Sequence, residues 1–312
     1  MKKKTDNVHM ARLGFVLAMV MFGAIGLFVR RIGLPSSTIA LYRGLIAFAT
    51  LSVLMLATGR LRKLGALRAH MGRVLLSGVA MGFNWILLFE AYRHTTVALA
   101  TLCYYFMPTF VVLAGALFFG ERLTARQGLF FIGATLGLLL IVGFGTGGHN
   151  DLVGFAYGIG AAALYATVVM LNRANAQVDG ITRTWLQFLA AVLALLPYAL
   201  ATGGLSLAGT DTMGLVYLVM VGVVNTGLVY AMYFTVMPRL RAQQVAIMSY
   251  LDPLVAILLS VLYLHESLRP VQMLGGALLL LCTLANELWG QRGQKATPTA
   301  LTQASCDGTI QK

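Results

Sequence analysis

The sequence predicts an all-α polytopic membrane protein, with ten transmembrane helices forming two inverted five-helix repeats and both termini in the cytoplasm. Of its 312 residues, 59% are apolar and 11% are charged, against about a quarter charged in soluble domains. The mean hydropathy is +0.81. The apolar residues form ten runs long enough to cross a bilayer, and the two halves of the chain match each other. These observations exclude a soluble enzyme, a disordered chain and a disulfide scaffold.

The apolar runs set the positions of the spans, since a membrane helix needs about 20 apolar residues. The predicted spans are residues 13–30, 37–58, 73–92, 96–119, 125–145, 153–171, 182–202, 213–236, 243–264 and 270–288. The runs are rich in Leu, Ala, Val and Gly and do not alternate with polar residues, which disfavours a β-barrel. Residues 291–312 are polar, and we expect a disordered tail there.

The basic residues predict the orientation. With the N-terminus inside, 18 Lys and Arg residues fall in inner segments and four fall in outer ones. Basic residues are retained on the cytoplasmic side, so both termini are predicted to be cytoplasmic. The same bias accounts for the net charge of +13, and we expect no nucleic-acid partner.

An internal repeat is visible at an offset of 145 residues, which aligns Tyr105 with Tyr250, Pro108 with Pro253 and Glu121 with Glu266. An offset of 141 aligns Asn84 with Asn225. The repeats are predicted at residues 1–145 and 153–290. Because each contains five spans, an odd number, the second must enter the membrane inverted. Inverted repeats around a midplane site are typical of secondary transporters.

The repeated motifs resemble a known family. Tyr-Phe-Met-Pro at 105–108 with Gly-Glu-Arg-Leu-Thr at 120–124, and Tyr-Leu-Asp-Pro at 250–253 with His-Glu-Ser-Leu at 265–268, are similar to the signature of EamA-type members of the drug/metabolite transporter superfamily. The resemblance covers about residues 10–290. It implies ten spans and export of small metabolites, including amino acids, across the bacterial inner (plasma) membrane. The second copy departs from the first in having His265 where the first has Gly120.

A substrate cavity is predicted at mid-depth, where polar groups and helix breaks from different spans converge. Polar side chains are unfavourable in a membrane unless they face protein or a wet cavity. The alternative for the asparagines is that they only join neighbouring helices, and each tyrosine is equally compatible with core packing. The candidate cavity residues are Asn84, Trp85, Tyr104, Tyr105, Tyr165, Asn225, Tyr250 and Asp252.

Two prolines and two charges complete the candidate site. Pro108 and Pro253 are expected to kink their helices, either as hinges or only to shape the bundle. Arg43 lies about 9 Å from the outer end of its span by helix rise, and either snorkels to the surface or meets a carboxylate of the protein or substrate. Asp252 either binds a substrate amine or exchanges a proton; the alternatives are pairing with Arg43 or bonding to a hydroxyl.

These features favour a secondary exporter of neutral or aromatic amino acids that works by alternating access. It is expected to act as a monomer, with a small amphiphilic substrate and membrane lipid as partners. The sequence has no nucleotide-binding motif and no cluster of metal-ligating residues, so we expect neither an enzyme nor a cofactor or metal. The alternatives are an exporter of drugs, nucleobases or sugar conjugates, and, outside the transporter class, a membrane-embedded enzyme or an assembly subunit.

Overall fold

Helices make up the regular structure of the chain in the computed structural model, which describes residues 2–59, 70–119, 124–143, 151–175 and 177–294. No strand occurs in these ranges. The α-helices are α1 (Lys2–Gly23), α2 (Ile25–Arg31), α3 (Ser36–Ala57), α4 (Met71–His94), α5 (Val97–Tyr104), α6 (Met107–Phe119), α7 (Ala125–Gly143), α8 (Asp151–Arg173), α9 (Gly180–Ala201), α10 (Thr212–Met220), α11 (Val229–Val236), α12 (Ala242–Ser249), α13 (Leu251–Tyr263) and α14 (Pro270–Gln294). A π-helical segment, Val221–Leu228, joins α10 to α11, and a 3₁₀ turn, Met237–Arg239, follows α11.

The predicted spans all correspond to apolar helical segments. Within the described ranges, nine segments are long and apolar enough to cross a membrane, and the remaining predicted span contains the shorter apolar segment Ile247–Tyr263. The fold class is therefore confirmed, whereas the orientation of the termini stays a prediction. The first helix begins at Lys2, well before the predicted span, and α14 continues to Gln294. The predicted tail beyond residue 294 lies outside the described residues.

Two repeat-related spans are broken rather than continuous. The fourth span stops at Tyr104 and resumes at Met107, and the ninth is interrupted at Tyr250. Pro108 and Pro253 lie in the first turn of the second half-helix in each case. Proline is tolerated in a first turn, where its missing N–H has no intrahelical partner to lose. The predicted kinks are thus helix breaks just before the prolines.

The two halves pack against each other in matching pairs. Helix α4 of the first half packs on α8 of the second, and α11 of the second packs on α1 of the first. The broken spans meet through α5 and α13, and the last spans of the halves meet through α7 and α14. The contacts are therefore repeated when the halves are exchanged, as expected for two inverted copies.

The contact between α7 and α14 depends on glycine. A Cβ added to Gly137 would lie 2.6 Å from the carbonyl oxygen of Gly275, and one added to Gly275 would lie 2.7 Å from that of Gly137. The two backbones therefore touch directly, a contact typical of small residues at membrane helix interfaces.

A polar network joins the halves at one end of the bundle. The Arg30 guanidinium lies 3.3 Å from Glu266. The other carboxylate oxygen of Glu266 accepts hydrogen bonds from the Val97 N–H, at 2.8 Å, and from the Ser260 hydroxyl. Glu266 thus holds α2, α5 and α13 together.

The turn before Glu266 explains the departure between the repeats. His265 has φ = 53°, in the left-handed region that glycine adopts most easily. The repeat-related residue is Gly120, which lies outside the described residues together with Glu121. Histidine tolerates this region better than most residues, so the second copy makes this turn without glycine.

Candidate functional site

The breaks of the two interrupted spans lie against each other. The rings of Tyr105 and Tyr250, one at each break, have centroids 6.1 Å apart. The Tyr105 hydroxyl donates to Oδ2 of Asp252 at 2.8 Å and approaches the carbonyl of Ser249 at 3.4 Å. Both tyrosines are eight residues from the start of their spans, a depth of about 12 Å by helix rise. The repeat-related tyrosines therefore meet near mid-depth.

Asp252 is the carboxylate at this junction. It lies in the first turn of α13, where the helix N-terminus favours a negative charge, and its side chain is half-buried. The only hydrogen bond it accepts from a described residue comes from Tyr105. Its second oxygen has no partner in the described ranges and is not fully enclosed by protein atoms. This oxygen is free to accept a proton or an ammonium N–H.

A row of tyrosines extends from Asp252 across the interior. The Tyr104 ring contacts Tyr105 edge-on at 6.4 Å and stacks on Tyr165 of α8 at 5.4 Å. Tyr104, Tyr105 and Tyr165 are each half-buried although they lie deep in the bundle. The interior is therefore not fully packed along this row, which we call the tyrosine row (Tyr165, Tyr104, Tyr105 and Tyr250).

Asn84 and Asn225 make equivalent hydrogen bonds between the halves. The Asn84 amide donates to the carbonyl of Ala161 in α8, and the Asn225 amide donates to the carbonyl of Met21 in α1, both at 2.6 Å. Asn84 is 1% exposed and Asn225 is fully buried. Asn84 also receives a long contact, 3.5 Å, from the Tyr104 hydroxyl. Their geometry favours the helix-joining alternative over exposure to a cavity.

Arg43 lies inside the bundle and does not snorkel to the outer surface. It is 4% exposed, and its guanidinium carbon is 4.6 Å from the ring centre of Trp85 and 5.5 Å from that of Phe89. Its Nε donates to the hydroxyl of Thr226 at 2.7 Å. Arg43 forms no ion pair with Asp252, so the pairing considered for these two charges is absent from this structure. Trp85 is 3% exposed and serves as a platform for Arg43.

Sequence reasoning missed three residues near the site. Thr226 lies in the π-helical segment, and Tyr230 follows it by one turn. Tyr230 is half-buried and packs edge-on against Phe188 at 5.6 Å. A polar-aromatic pair four residues apart, directly after Asn225, was a usable signal for both. Glu287 lies near the Tyr250 hydroxyl, which has no hydrogen-bond partner among the described residues. Glu287 was not predicted because it lies close to the end of the last span, where charged residues are common.

No group of three or more metal-ligating side chains occurs in the described part of the chain. The chemistry that the site offers is the carboxylates of Asp252 and Glu287, tyrosine hydroxyls, aromatic faces and one guanidinium. Such a set suits reversible binding of a small amphiphile or ion.

Comparison with known proteins shows that the chain is similar to bacterial membrane transporters. The EamA-like transporter family matches residues 9–143 and 152–286, one match in each half. The chain is 29% identical over 280 residues to the uncharacterized transporter YxxF of Bacillus subtilis, covering 87% of this chain and 89% of that one. It is 28% identical over 210 residues to a probable amino-acid metabolite efflux pump of Escherichia coli, covering 64% and 69%. It is 30% identical over 195 residues to protein RarD of the same species, covering 61% and 63%.

A solved crystal structure shares the fold, with a TM-score of 0.58 over 92% of this chain and 99% of the other, at 20% identity. The family matches cover nearly all of the helical bundle and repeat in its two halves, as the broken spans do. The chain therefore belongs to the EamA-like transporter family, within the drug/metabolite transporter superfamily.

Proposed function

We propose that the chain is a secondary exporter of neutral and aromatic amino acids in the bacterial inner membrane, working as a monomer by alternating access. The observation that carries the proposal is the 2.8 Å hydrogen bond from Tyr105 to Asp252, formed where the two broken spans meet. Broken spans near the midplane form the substrate sites of many secondary transporters, because they expose backbone polar groups and helix ends there.

The chemistry of the junction fits an amino acid. The free oxygen of Asp252 suits an ammonium group, and the tyrosine row offers apolar faces with hydroxyl donors to the rest of the molecule. The Escherichia coli relative named as a probable amino-acid metabolite efflux pump supports the same cargo class.

The broken spans also supply hinges. Each half-helix can tilt at its break without losing the hydrogen bonds of a continuous helix, and the two breaks touch through Tyr105 and Tyr250. Rocking one half against the other would open the tyrosine row to one side of the membrane at a time. The energy comes from a gradient of the cargo or of a coupling ion, and protonation of Asp252 would couple export to proton entry.

A second cargo class, lipophilic organic cations, is favoured by one observation. Asp252 has a tyrosine as its hydrogen-bond donor, and a carboxylate among aromatic faces is a suitable site for a cation without a carboxyl group.

Flux into proteoliposomes tests the proposal. Labelled phenylalanine, leucine, a nucleobase and tetraphenylphosphonium are each offered with and without a pH gradient. We expect the two amino acids to move in protein-containing vesicles only. Movement of tetraphenylphosphonium with no amino-acid flux would favour the second class, and no movement of any compound would contradict the proposal.

A further inference from the structure

Arg43 is a buried cation that forms no ion pair with a described residue. It is 4% exposed, within the span formed by α3, and no described carboxylate lies within ion-pair distance. An isolated charge is costly to bury, and arginines within spans normally pair with an acid or line a wet cavity. The contact with the Trp85 face offsets part of this cost, but a neutral ring does not neutralise the charge.

The hydrogen-bonding capacity of Arg43 is largely unused. A guanidinium has five N–H donors, and only the Nε–H has a partner among the described residues, the Thr226 hydroxyl. The two terminal nitrogens lack partners in the part of the chain that the structure describes, and they are not fully enclosed by its atoms. They carry the pair of N–H groups that matches the two oxygens of a carboxylate.

The guanidinium is also held in place. The ring of Trp85 lies against it at 4.6 Å, and the Trp85 ring in turn packs on Phe188 at 5.6 Å. Thr226 is positioned by the π-helical segment, in which its hydroxyl donates to the Val221 carbonyl at 2.7 Å. A side chain fixed on one face and at Nε presents its remaining edge in a defined direction, as a binding site requires.

Arg43 belongs to the same interior as the tyrosine row. Tyr104, Tyr165 and Tyr230 pack on the same apolar cluster as Trp85 and Phe89, the two rings that lie against Arg43. Tyr104 contacts Tyr105, whose hydroxyl donates to Asp252. Arg43 and Asp252 are therefore linked through one set of aromatic contacts, and they form no ion pair with each other.

We propose that Arg43 binds the carboxylate group of the transported molecule, through its two terminal nitrogens. That the bound molecule is the transported one rests on the proposed function. Binding of a carboxylate by Arg43 does not depend on transport. The cargo class is thereby narrowed to molecules that carry a carboxylate beside an apolar group, which separates amino acids from the lipophilic cations considered above.

Trp85 supplies a direct readout, because it lies on the Arg43 guanidinium. A variant with Trp185→Phe and Trp289→Phe keeps Trp85 as its one tryptophan, since the sequence contains three. The emission of this purified variant is titrated with phenylalanine, with 3-phenylpropionate, which has the carboxylate alone, and with phenethylamine, which has the amine alone. Sodium chloride serves as the inorganic anion.

We expect phenylalanine and 3-phenylpropionate to change the Trp85 emission, and chloride to have no effect at the same concentration. In Arg43→Gln, binding of both carboxylates should weaken roughly 10- to 100-fold, the usual loss for a hydrogen bond to a charged group, while phenethylamine binding stays unchanged. Arg43→Lys keeps the charge but not the paired N–H groups, and should be intermediate. Arg43→Lys also replaces Arg43→Gln as the test variant if Arg43→Gln does not fold.

Arg183→Gln is the matched control. Arg183 also lies in a span and against an aromatic ring, that of Phe234 at 5.9 Å, but its terminal nitrogen has the carbonyls of Asn172 and Asn175 as partners. Its loss should leave carboxylate binding unchanged.

Two outcomes overturn the inference: equal binding of 3-phenylpropionate by the parent and by Arg43→Gln, or a response to chloride as large as that to the carboxylates. Arg43-dependent binding of 3-phenylpropionate without amino-acid flux in proteoliposomes would sustain this inference and remove the proposed function. Amino-acid flux that is unaffected by Arg43→Gln would sustain the proposed function and remove this inference.

Discussion

Arg43 is buried and Asp252 half-buried within the bundle, and each has a hydroxyl as its hydrogen-bond partner. Asp252 accepts from Tyr105 and Arg43 donates to Thr226. Two charges that only stabilise a fold are expected to neutralise each other, since the membrane interior makes unpaired charges costly. Each charge lacks an ion-pair partner among the described residues, and this is the feature that points to ligand binding.

Replacing Asp252 with Asn tests the acid. The amide keeps the shape and accepts from Tyr105 but carries no charge and exchanges no proton. We expect a well-folded protein in which phenylalanine flux falls roughly 10- to 100-fold and no longer responds to a pH gradient. Flux is measured in proteoliposomes at matched protein content.

Glu90→Gln is the control for Asp252→Asn. Glu90 forms an ion pair with Arg93 at 3.8 Å near the end of α4, away from the tyrosine row. Its replacement should leave flux unaltered. Parent-like flux and pH response in Asp252→Asn would remove Asp252 from the transport cycle.

The two asparagines are expected to act on stability. Asn84→Leu and Asn225→Leu each delete a hydrogen bond between the halves, and such bonds contribute roughly 0.6–2 kcal/mol in membrane proteins. The measurement is the free energy of unfolding in detergent. Thr167→Leu is the comparison, since the exposed Thr167 bonds only within its own helix. A loss in Thr167→Leu as large as in the asparagine variants would contradict this account.

The positions of these residues could be predicted from the sequence, whereas their hydrogen-bond partners could not. The positions of Asp252, Tyr105 and the asparagines within apolar runs located them at mid-depth, because a polar residue in an apolar run is visible without a structure. What each one bonds to was not predictable, since it depends on which helix of the other half is adjacent. The hydrogen bond from Asn225 to Met21 joins residues 204 positions apart.

Between helices, the contact of α7 with α14 makes a sharp prediction. Gly137→Ala and Gly275→Ala each place a methyl group against the partner backbone. Overpacking of this kind costs about 1–3 kcal/mol. Gly128→Ala on α7 is the control, because a Cβ at Gly128 meets nothing within 4 Å. Thermal unfolding of the three variants in one detergent measures the difference; equal melting temperatures for Gly137→Ala and Gly128→Ala would be inconsistent with the backbone contact.

The helix positions were predictable, and the breaks were predictable only in part. Apolar run length determines where a span can lie, which is why every predicted span overlaps a helical segment. Pro108 and Pro253 indicated that their helices are irregular, but a kink and a break have the same local sequence. The contact between Tyr105 and Tyr250, which accompanies the breaks, is tertiary and was not predictable. The π-helical segment gave no sequence signal that we recognised.

Across the full chain, the orientation rests on the distribution of basic residues and is testable by labelling. In a background without native cysteines, Ser206→Cys between α9 and α10 should react with a membrane-impermeant maleimide added outside intact cells. Gln177→Cys between α8 and α9 should react only after the cells are permeabilised. Both side chains are exposed. The reverse pattern would place both termini outside.

The central claim is that the tyrosine row faces each side of the membrane in turn. Its most direct test is the reactivity of Tyr165→Cys, in the cysteine-free background, with a charged methanethiosulfonate added to right-side-out or to inside-out vesicles. Leu136→Cys, on an exposed apolar position of α7, is the control and should be unreactive from both sides. The account predicts labelling of Tyr165→Cys from both sides, slowed in each case by phenylalanine. Labelling from one side alone, or from neither, would contradict it.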